Sequence, residues 1–332
     1  MKSSEHVSRM YSEYAPFPGR FIRLLEEKNT TVKKFYTHLA LKREFSHKSA
    51  YRIMQTRFRE NCPNPGTRIR ILDAGCGTGE KTLHCGSAFR LAEVTGIDFS
   101  EKSIHYARLL KEHFRIGNID FKQTDIINDN IFKLGKFDLV QCRGVLHHMD
   151  NPKKALRRIS ELMNTGAVMW LFLYSNYGNR YLETNIRKGI RRIYPDDRNL
   201  VKRADLYKKL SYYSKPGLPH TVFSYFEPDK KLLRSLWDAV KDKGYDYYTR
   251  TGNTMVYDGF AHPIAENYNP DKIRSLLEGT GLIIADYYYE PYNSADLDTV
   301  RANDPTKDMF ERMRNEELII NPSFYNLILR KS

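Results

Sequence analysis

Short apolar runs of strand length alternate with longer amphipathic stretches between residues 69 and 175. The predicted strands are 69–73, 93–98, 119–123, 137–142 and 167–174, and the predicted helices are 79–89, 101–115 and 151–163. Asn151 and Pro152 suit the start of the last of these helices, since asparagine caps helices and proline fits the first turn. Regular alternation of strand and helix predicts a parallel sheet that is covered by helices on both faces.

The rest of the chain divides into an extension, an insertion and a return to the sheet. Residues 270–278 form a further predicted helix, and residues 281–289 and 324–330 form two predicted strands joined by a helical connection. We therefore predict a core made of residues 69–175 and 269–332. Residues 1–68 are predicted to be a helical extension, and residues 176–268 are predicted to be a helical insertion that covers the substrate.

Positive charge is concentrated in the parts that flank the predicted core. The chain has 332 residues and a formal net charge of +14. Residues 1–70 contain 15 Lys and Arg against 6 Asp and Glu, and residues 176–234 contain 14 against 6. Such basic flanks are typical of proteins that bind nucleic acid, an acidic protein, a phosphorylated metabolite or a lipid surface. The alternative is a basic surface that only increases solubility.

The cysteines and the N-terminus narrow the class of protein. The four cysteines show neither the paired spacing of metal ligands nor a Cys-x-x-Cys motif, so we expect reduced thiols and no metal site. The first six residues are polar, and the longest apolar run, 167–174, is too short to cross a bilayer. These features predict a soluble, cytoplasmic protein without a transmembrane segment.

One stretch, residues 71–80, carries the clearest chemical signal. An apolar strand ends in Asp73, and Gly75, Gly77 and Gly79 then alternate with other residues up to the start of a helix. Glycine permits positive φ and close approach of a ligand to the backbone, and the N–H groups of a helix start can receive an anion. A dinucleotide-binding fingerprint would need glycine where Glu80 stands, and no Gly-Lys-Ser/Thr phosphate loop follows.

Three later strands also end in polar residues. Asp98 ends the second strand about twenty residues after the glycines, where an acid can hold both ribose hydroxyls. Asp125 follows the third strand, and Cys142 and Arg143 end the fourth. The pattern Asp-x-Gly-x-Gly-x-Gly, followed by these strand ends, resembles class I S-adenosylmethionine-dependent methyltransferases. The resemblance implies an α/β, Rossmann-like, doubly wound sheet of seven strands with the last strand antiparallel, and S-adenosyl-L-methionine as cofactor.

The resemblance also implies roles for individual residues. Asp98 would bind the ribose, Phe99 would lie against the adenine, and Asp125 with Ile126 would reach its edge. Arg143 would face the methionine end or the substrate. The implied cofactor-binding set is Asp73, Gly75, Cys76, Gly77, Gly79, Asp98, Phe99, Asp125, Ile126, Cys142 and Arg143.

An aromatic, proline and arginine segment near the N-terminus extends the resemblance. Residues 11–20 resemble a box in bacterial methyltransferases, including ones fused to tetratricopeptide repeats. The likeness implies that Tyr11, Tyr14 and Arg20 close over the cofactor. A proline-rich turn between two helices is the alternative interpretation.

The catalytic group and the acceptor are harder to predict from the sequence. A sulfonium already contains a good leaving group, so the protein mainly has to align the acceptor. Candidate bases are His148, which follows the fourth strand, and Asp258 and His262 in the insertion. The Asn-Pro-Pro-Tyr box of enzymes that methylate base amino groups is absent after that strand. Three hypotheses remain: methylation of a small or medium-sized, anionic or aromatic acceptor; methylation of RNA or tRNA; and a cofactor-binding partner protein without turnover.

Overall fold

The computed structural model describes residue 7, residues 68–176, 187–196, 199, 202, 203, 206, 265–290, 308–320 and 324–332. The predicted N-terminal extension and most of the predicted insertion lie outside these residues. The division of the chain into extension, core and insertion therefore stays a prediction. So does the closing of Tyr11, Tyr14 and Arg20 over the cofactor.

A seven-stranded sheet organises the described residues. The strands are β1 (Arg70–Ala74), β2 (Glu93–Asp98), β3 (Ile119–Gln123), β4 (Phe137–Arg143), β5 (Met163–Tyr174), β6 (Leu282–Glu290) and β7 (Phe324–Lys331). Their order is β3-β2-β1-β4-β5-β7-β6. Neighbours from β3 to β5 are parallel, and β7 runs antiparallel to both β5 and β6. This topology confirms the predicted Rossmann-like, doubly wound fold with its last strand antiparallel.

Helices lie between the strands, and several of them begin at the caps that the sequence supplies. They are α1 (Glu80–Ala88), α2 (Glu101–Phe114), α3 (Pro152–Glu161), α4 (Pro270–Leu277) and α5 (Met309–Ile320). The side chain of Asn151 accepts a hydrogen bond from the N–H of Lys154 at the start of α3, and Asn269 does the same for Lys272 at the start of α4. Each asparagine is followed by proline in the first turn, so these helix starts follow from local sequence.

The two faces of the sheet bury separate sets of side chains. One face carries Leu72, Val140, Cys142, Leu171 and Leu327, which pack with α3 and α4. The opposite face packs with α1 and α2, and it carries Ile71, Leu139, Val168, Trp170 and Ile328. Successive residues of a strand point to opposite faces. Neighbouring positions at the end of β4 therefore face different layers, which matters for the site described below.

The start of β5 differs from the prediction. The strand begins at Met163 rather than near residue 167, and its pairing with β4 shifts between Phe137 and Leu139. Gly166 lies within the extra residues at φ 80°, a conformation that favours glycine. The polar residues Asn164 and Thr165 resemble a turn in sequence, but here they belong to an irregular stretch of strand that leaves the ladder and rejoins it.

Two described arginines of the predicted insertion bond to backbone of the insertion itself. Within the described segment 187–196, Arg187 is buried and its Nη2 donates to the carbonyl of Ala265 at 3.2 Å. Arg203 is fully buried and donates to the carbonyls of Tyr194 and Pro195. These arginines of the basic segment act as hydrogen-bond donors to backbone. Among the helices that the structure describes, none combines the length and apolar character needed to cross a membrane.

Candidate active site

A glycine-rich loop connects β1 to α1 at the carboxyl end of the sheet. Gly75, Gly77 and Gly79 have φ values of 79°, 54° and 83°, all in the left-handed region. The N–H groups of Gly75 and Cys76 both donate to the carbonyl of Ile97 in β2 at 2.8 Å. The loop is thus fixed to the neighbouring strand, and its backbone conformation explains why glycine occupies these three positions.

The three glycines differ in what surrounds them. A Cβ at Gly75 would lie 2.3 Å from the side chain of Val145, and a Cβ at Gly79 would lie 2.7 Å from the ring of Phe121. A Cβ at Gly77 would meet nothing within 4 Å. Gly75 and Gly79 therefore allow close packing inside the protein. Gly77 is the position where bare backbone borders open space.

Asp98, at the end of β2, lies directly beside Gly77. Its Oδ2 accepts the N–H of Gly77 and its Oδ1 accepts the N–H of Ser100, both at 2.9 Å. Burial raises the pKa of Asp98 to about 6, although these two backbone hydrogen bonds oppose the rise. Because a carboxylate has about four lone-pair sites, each oxygen can accept a further hydrogen bond.

Asp73, at the end of β1, is buried and has a mainly internal role. The hydroxyl of Thr82 in α1 donates to its Oδ2 at 2.5 Å, which joins the strand to the helix across the loop. Burial raises the pKa of Asp73, against the opposing effects of the Thr82 hydrogen bond and the charge of Lys81. Asp73 therefore stabilises the glycine loop by linking β1 to α1.

The end of β3 brings Asp125 to the same edge of the sheet. Asp125 is exposed, and its Oδ1 accepts the N–H of Ile127 at 3.0 Å, while Ile126 is buried. The carbonyl of Phe99 accepts a hydrogen bond from Gln123 at 3.3 Å. The negative charge of Asp125 contributes to the raised pKa of Asp98, so the two acids are close enough to interact.

The two cysteines of the predicted set are both buried. Cys142 lies in the core layer with Leu72 and Val140, and burial raises the pKa of its thiol. Burial and the charges of Asp73 and Asp98 likewise raise the pKa of Cys76. Neither thiol is in the electropositive, accessible setting that favours a reactive thiolate. Their role is packing beneath and beside the loop.

Arg143 is the neighbour of Cys142 in β4, and it faces the opposite layer. Its guanidinium carbon lies 3.9 Å from the ring centroid of Trp170 and 5.7 Å from that of Phe172, both in β5. The side chain is 7 % exposed. A cation of this kind stacked on aromatic faces is held in one orientation.

His147 and His148 follow β4 in a short turn, Leu146–His148. The His147 ring stacks on Tyr174 of β5 at 3.6 Å, and its carbonyl accepts the N–H of Glu266 at 2.8 Å. His148 meets the Tyr174 ring edge-on at 5.6 Å and is 5 % exposed. His147 thus fixes the turn, and His148 remains the candidate base in it. The other two candidates, Asp258 and His262, lie outside the described residues.

Residues 66–201 match a family model described as a methyltransferase domain. This chain contains a class I S-adenosylmethionine-dependent methyltransferase domain. The order of the strands, the glycine loop after β1 and the acid at the end of β2 all agree with that assignment. Among the described residues of the methyltransferase domain, no group of three or more His, Cys, Asp or Glu is arranged to hold a metal ion.

Curated relatives and solved structures are similar to the methyltransferase domain. An uncharacterized protein of Synechococcus is 26% identical over 220 residues, which cover 65% of this chain and 47% of the relative. A ubiquinone biosynthesis O-methyltransferase of Dechloromonas aromatica is 32% identical over 130 residues, which cover 36% of this chain and 54% of the relative. The chain thus spans about half the length of these relatives.

The fold of the domain is also that of a solved structure. PKMT2 from Rickettsia typhi, in complex with AdoHcy, is 18% identical with a TM-score of 0.52, and the match covers 81% of this chain and 50% of that protein. At this identity the likeness concerns the fold alone. It agrees with the seven-stranded sheet described above.

Proposed function

We propose that this protein transfers the methyl group of S-adenosyl-L-methionine to a small or medium-sized acceptor. The observation that carries the proposal is the pairing of Gly77 with Asp98. The first offers bare backbone next to open space, and the second offers a carboxylate with free acceptor capacity beside it. An adenosyl group needs both features, because its ribose carries two adjacent hydroxyl donors.

The residues of the rim have distinct roles in this proposal. Asp98 accepts the two ribose hydroxyls, Phe99 and Ile126 border the adenine, and Asp125 lies at its edge. Gly77 lets the aminoacyl chain pass close to the backbone, and Asp73 holds the loop. The bound cofactor supplies an electrophilic methyl group and a neutral thioether leaving group. The remaining task of the protein is to align and dehydrate the acceptor.

Deprotonation of the acceptor is assigned to His148. Imidazole is a common general base, and the His148 ring lies edge-on to the Tyr174 ring at the turn after β4. Similarity to O-methyltransferases of ubiquinone biosynthesis makes a hydroxyl oxygen the first acceptor atom to test. Asp258 and His262 are the further candidates for the same role.

The test is calorimetric titration with S-adenosyl-L-methionine and AdoHcy, followed by a search for mass shifts of one methyl group in cell extracts. Gly77→Ala should weaken cofactor binding about tenfold or more, because its methyl group enters the proposed path of the ligand. Gly117→Ala is the matched control, since Gly117 also has nothing within 4 Å of an added Cβ but lies away from the rim. Equal affinities in both variants, or no binding by the natural chain, would contradict the proposal.

The extract assay separates the remaining hypotheses. Methylation confined to RNA would favour the RNA or tRNA hypothesis, which the basic flanks motivate, and binding should then weaken steeply with salt. Cofactor binding without methylation of any fraction would favour a partner protein without turnover.

A further inference from the structure

Arg143 is a buried cation that the protein itself leaves incompletely bonded. Its side chain is 7 % exposed. Within the part of the chain that the structure describes, neither its Nε nor its Nη1 has a hydrogen-bond partner. Buried charges in folded proteins are usually paired, because burial removes the water that solvates them. A buried guanidinium with two N–H groups left without partners is suited to binding an anionic ligand.

The nearest acid does not serve as that anion. Asp73 faces the same layer, and the charge of Arg143 lowers its pKa less than the Thr82 hydrogen bond and the charge of Lys81 do. Its Oδ2 instead accepts the hydroxyl of Thr82. The guanidinium is stacked on the Trp170 ring at 3.9 Å, so it is held in place while its N–H groups stay available. Preorganisation of this kind lowers the entropy lost when a ligand binds.

The position of the guanidinium favours the acceptor rather than the cofactor. β4 lies between β1 and β5, and the glycine loop follows β1. Arg143 lies over Trp170 and Phe172, which belong to β5. Its guanidinium therefore lies over residues of β5, the neighbour of β4 on the side opposite β1. In the proposed function the adenosyl group occupies the β1 and β2 side, which leaves the β5 side for the acceptor.

The surroundings also favour a planar ligand with a carboxylate. A guanidinium presents its donors in a flat fork that matches the two oxygens of a carboxylate. Phe172 stacks on Phe324 of β7 with the ring centroids 5.0 Å apart, so aromatic faces continue from the cation along the sheet. Aromatic rings pack well on such faces.

We propose that Arg143, stacked on Trp170, binds a carboxylate of an aromatic acceptor next to the site of methyl transfer. This inference rests on the proposed function, and it narrows the acceptor to an aromatic acid. Arg143 is a specificity-determining residue in this account, whereas His148 acts on the proton.

The test compares one pair of probes that differ in a carboxylate with a second pair that differ in the amino acid part of the cofactor. Benzoate and benzamide have the same shape and differ in charge, and they are titrated into the protein with and without saturating AdoHcy. AdoHcy and 5′-methylthioadenosine differ in the aminoacyl group and report on the cofactor side. The variants are Arg143→Met and Arg143→Lys, with Arg90→Met, an exposed arginine away from the sheet edge, as the matched control.

We expect the natural chain to bind benzoate at least tenfold more tightly than benzamide, since charge-assisted bidentate bonds are about twice as strong as neutral ones. Arg143→Met should abolish this preference and Arg143→Lys should reduce it, while Arg90→Met keeps it. The ratio of the AdoHcy and 5′-methylthioadenosine affinities should be the same in all variants. Thermal melts identify any variant that fails to fold, and Arg143→Lys then carries the test.

Two results would overturn the inference while leaving the proposed function intact. One is AdoHcy binding without any preference for benzoate in the natural chain. The other is loss of AdoHcy affinity relative to 5′-methylthioadenosine in Arg143→Met, which would assign the guanidinium to the carboxylate of the cofactor. Absence of AdoHcy binding in the natural chain would instead refute the proposed function itself.

Discussion

The raised pKa of Asp98 makes cofactor affinity depend on pH in a specific direction. Burial brings this pKa from 3.8 to about 6. The ribose hydroxyls donate hydrogen bonds, so they need the ionised carboxylate as acceptor. A group with a pKa of about 6 is ionised in about nine molecules of ten at pH 7 and in about one of ten at pH 5. We therefore expect AdoHcy to bind about tenfold more weakly at pH 5 than at pH 7.

Calorimetry of AdoHcy and of 5′-methylthioadenosine over this pH range measures the effect. Both ligands keep the ribose, so both should show it. Asp98→Asn should weaken binding at pH 7 by about 1.5–3 kcal/mol, the cost of replacing a charge-assisted acceptor, and should flatten the pH profile. Asp120→Asn, on the edge strand β3, is the matched control and should retain the profile. A flat profile in the natural chain, or an unchanged slope in Asp98→Asn, would refute the role of this carboxylate.

The raised pKa of Asp98 makes the stability of the unliganded fold change with pH in the direction opposite to cofactor affinity. Because the pKa of Asp98 is higher in the folded chain than in the unfolded one, the folded state holds its proton more tightly. The contribution of Asp98 to stability is therefore lost as pH rises from about 4 through about 6. Cofactor binding becomes stronger over the pH range in which the empty site becomes less stable.

Two further predictions concern stability. Gly75→Ala and Gly79→Ala should each lower the free energy of unfolding by about 2–4 kcal/mol, because the new methyl group adds overpacking to the strain of a left-handed backbone. Gly77→Ala should lower it by about 1 kcal/mol from strain alone. Equal denaturant midpoints for the three variants would contradict the different surroundings of these glycines. Burial, aided by the charge of Asp271, raises the pKa of Glu317 to about 8, so its contribution to stability is lost as pH rises through that value. Glu317→Gln should therefore stabilise the protein by about 3 kcal/mol at pH 8.5 and little at pH 5, and a gain at pH 5 alone would refute this assignment.

The fold could be predicted because the helix caps and apolar runs in the sequence match the helices and strands that the structure contains. The caps at Asn151 and Asn269 and the apolar runs of the strands specify elements within a few residues of those observed. The boundary of β5 was missed, since Gly166 and its polar neighbours read as a turn. In the structure Met163 still pairs with Phe137 of β4, and the regular ladder resumes only at Val168, so Gly166 and its neighbours lie between two paired parts of one strand.

The residues of the site could be predicted from the sequence, but their different individual roles could not. The sequence presents Gly75, Gly77 and Gly79 as equivalent, and their difference comes from Val145, which follows β4, and from Phe121 of β3. The roles of neighbouring residues in the turn after β4 are equally non-local. His147 is fixed by a ring of β5, and the stacking of Arg143 on Trp170 needs the pairing of two parallel strands. No spacing rule within one segment contains this information.

The position of β7 has a consequence for how the protein is made. β7 lies between β5 and β6, although it follows both of them in the chain. On the ribosome, β1 to β5 can pair as they emerge, but β6 finds no neighbour until residues 324–331 have left the exit tunnel. A nascent chain that stalls before this point exposes the edges of two long strands to other nascent chains. Completion of the sheet, and protection from co-translational aggregation, therefore depend on the segment that is translated last among the seven strands.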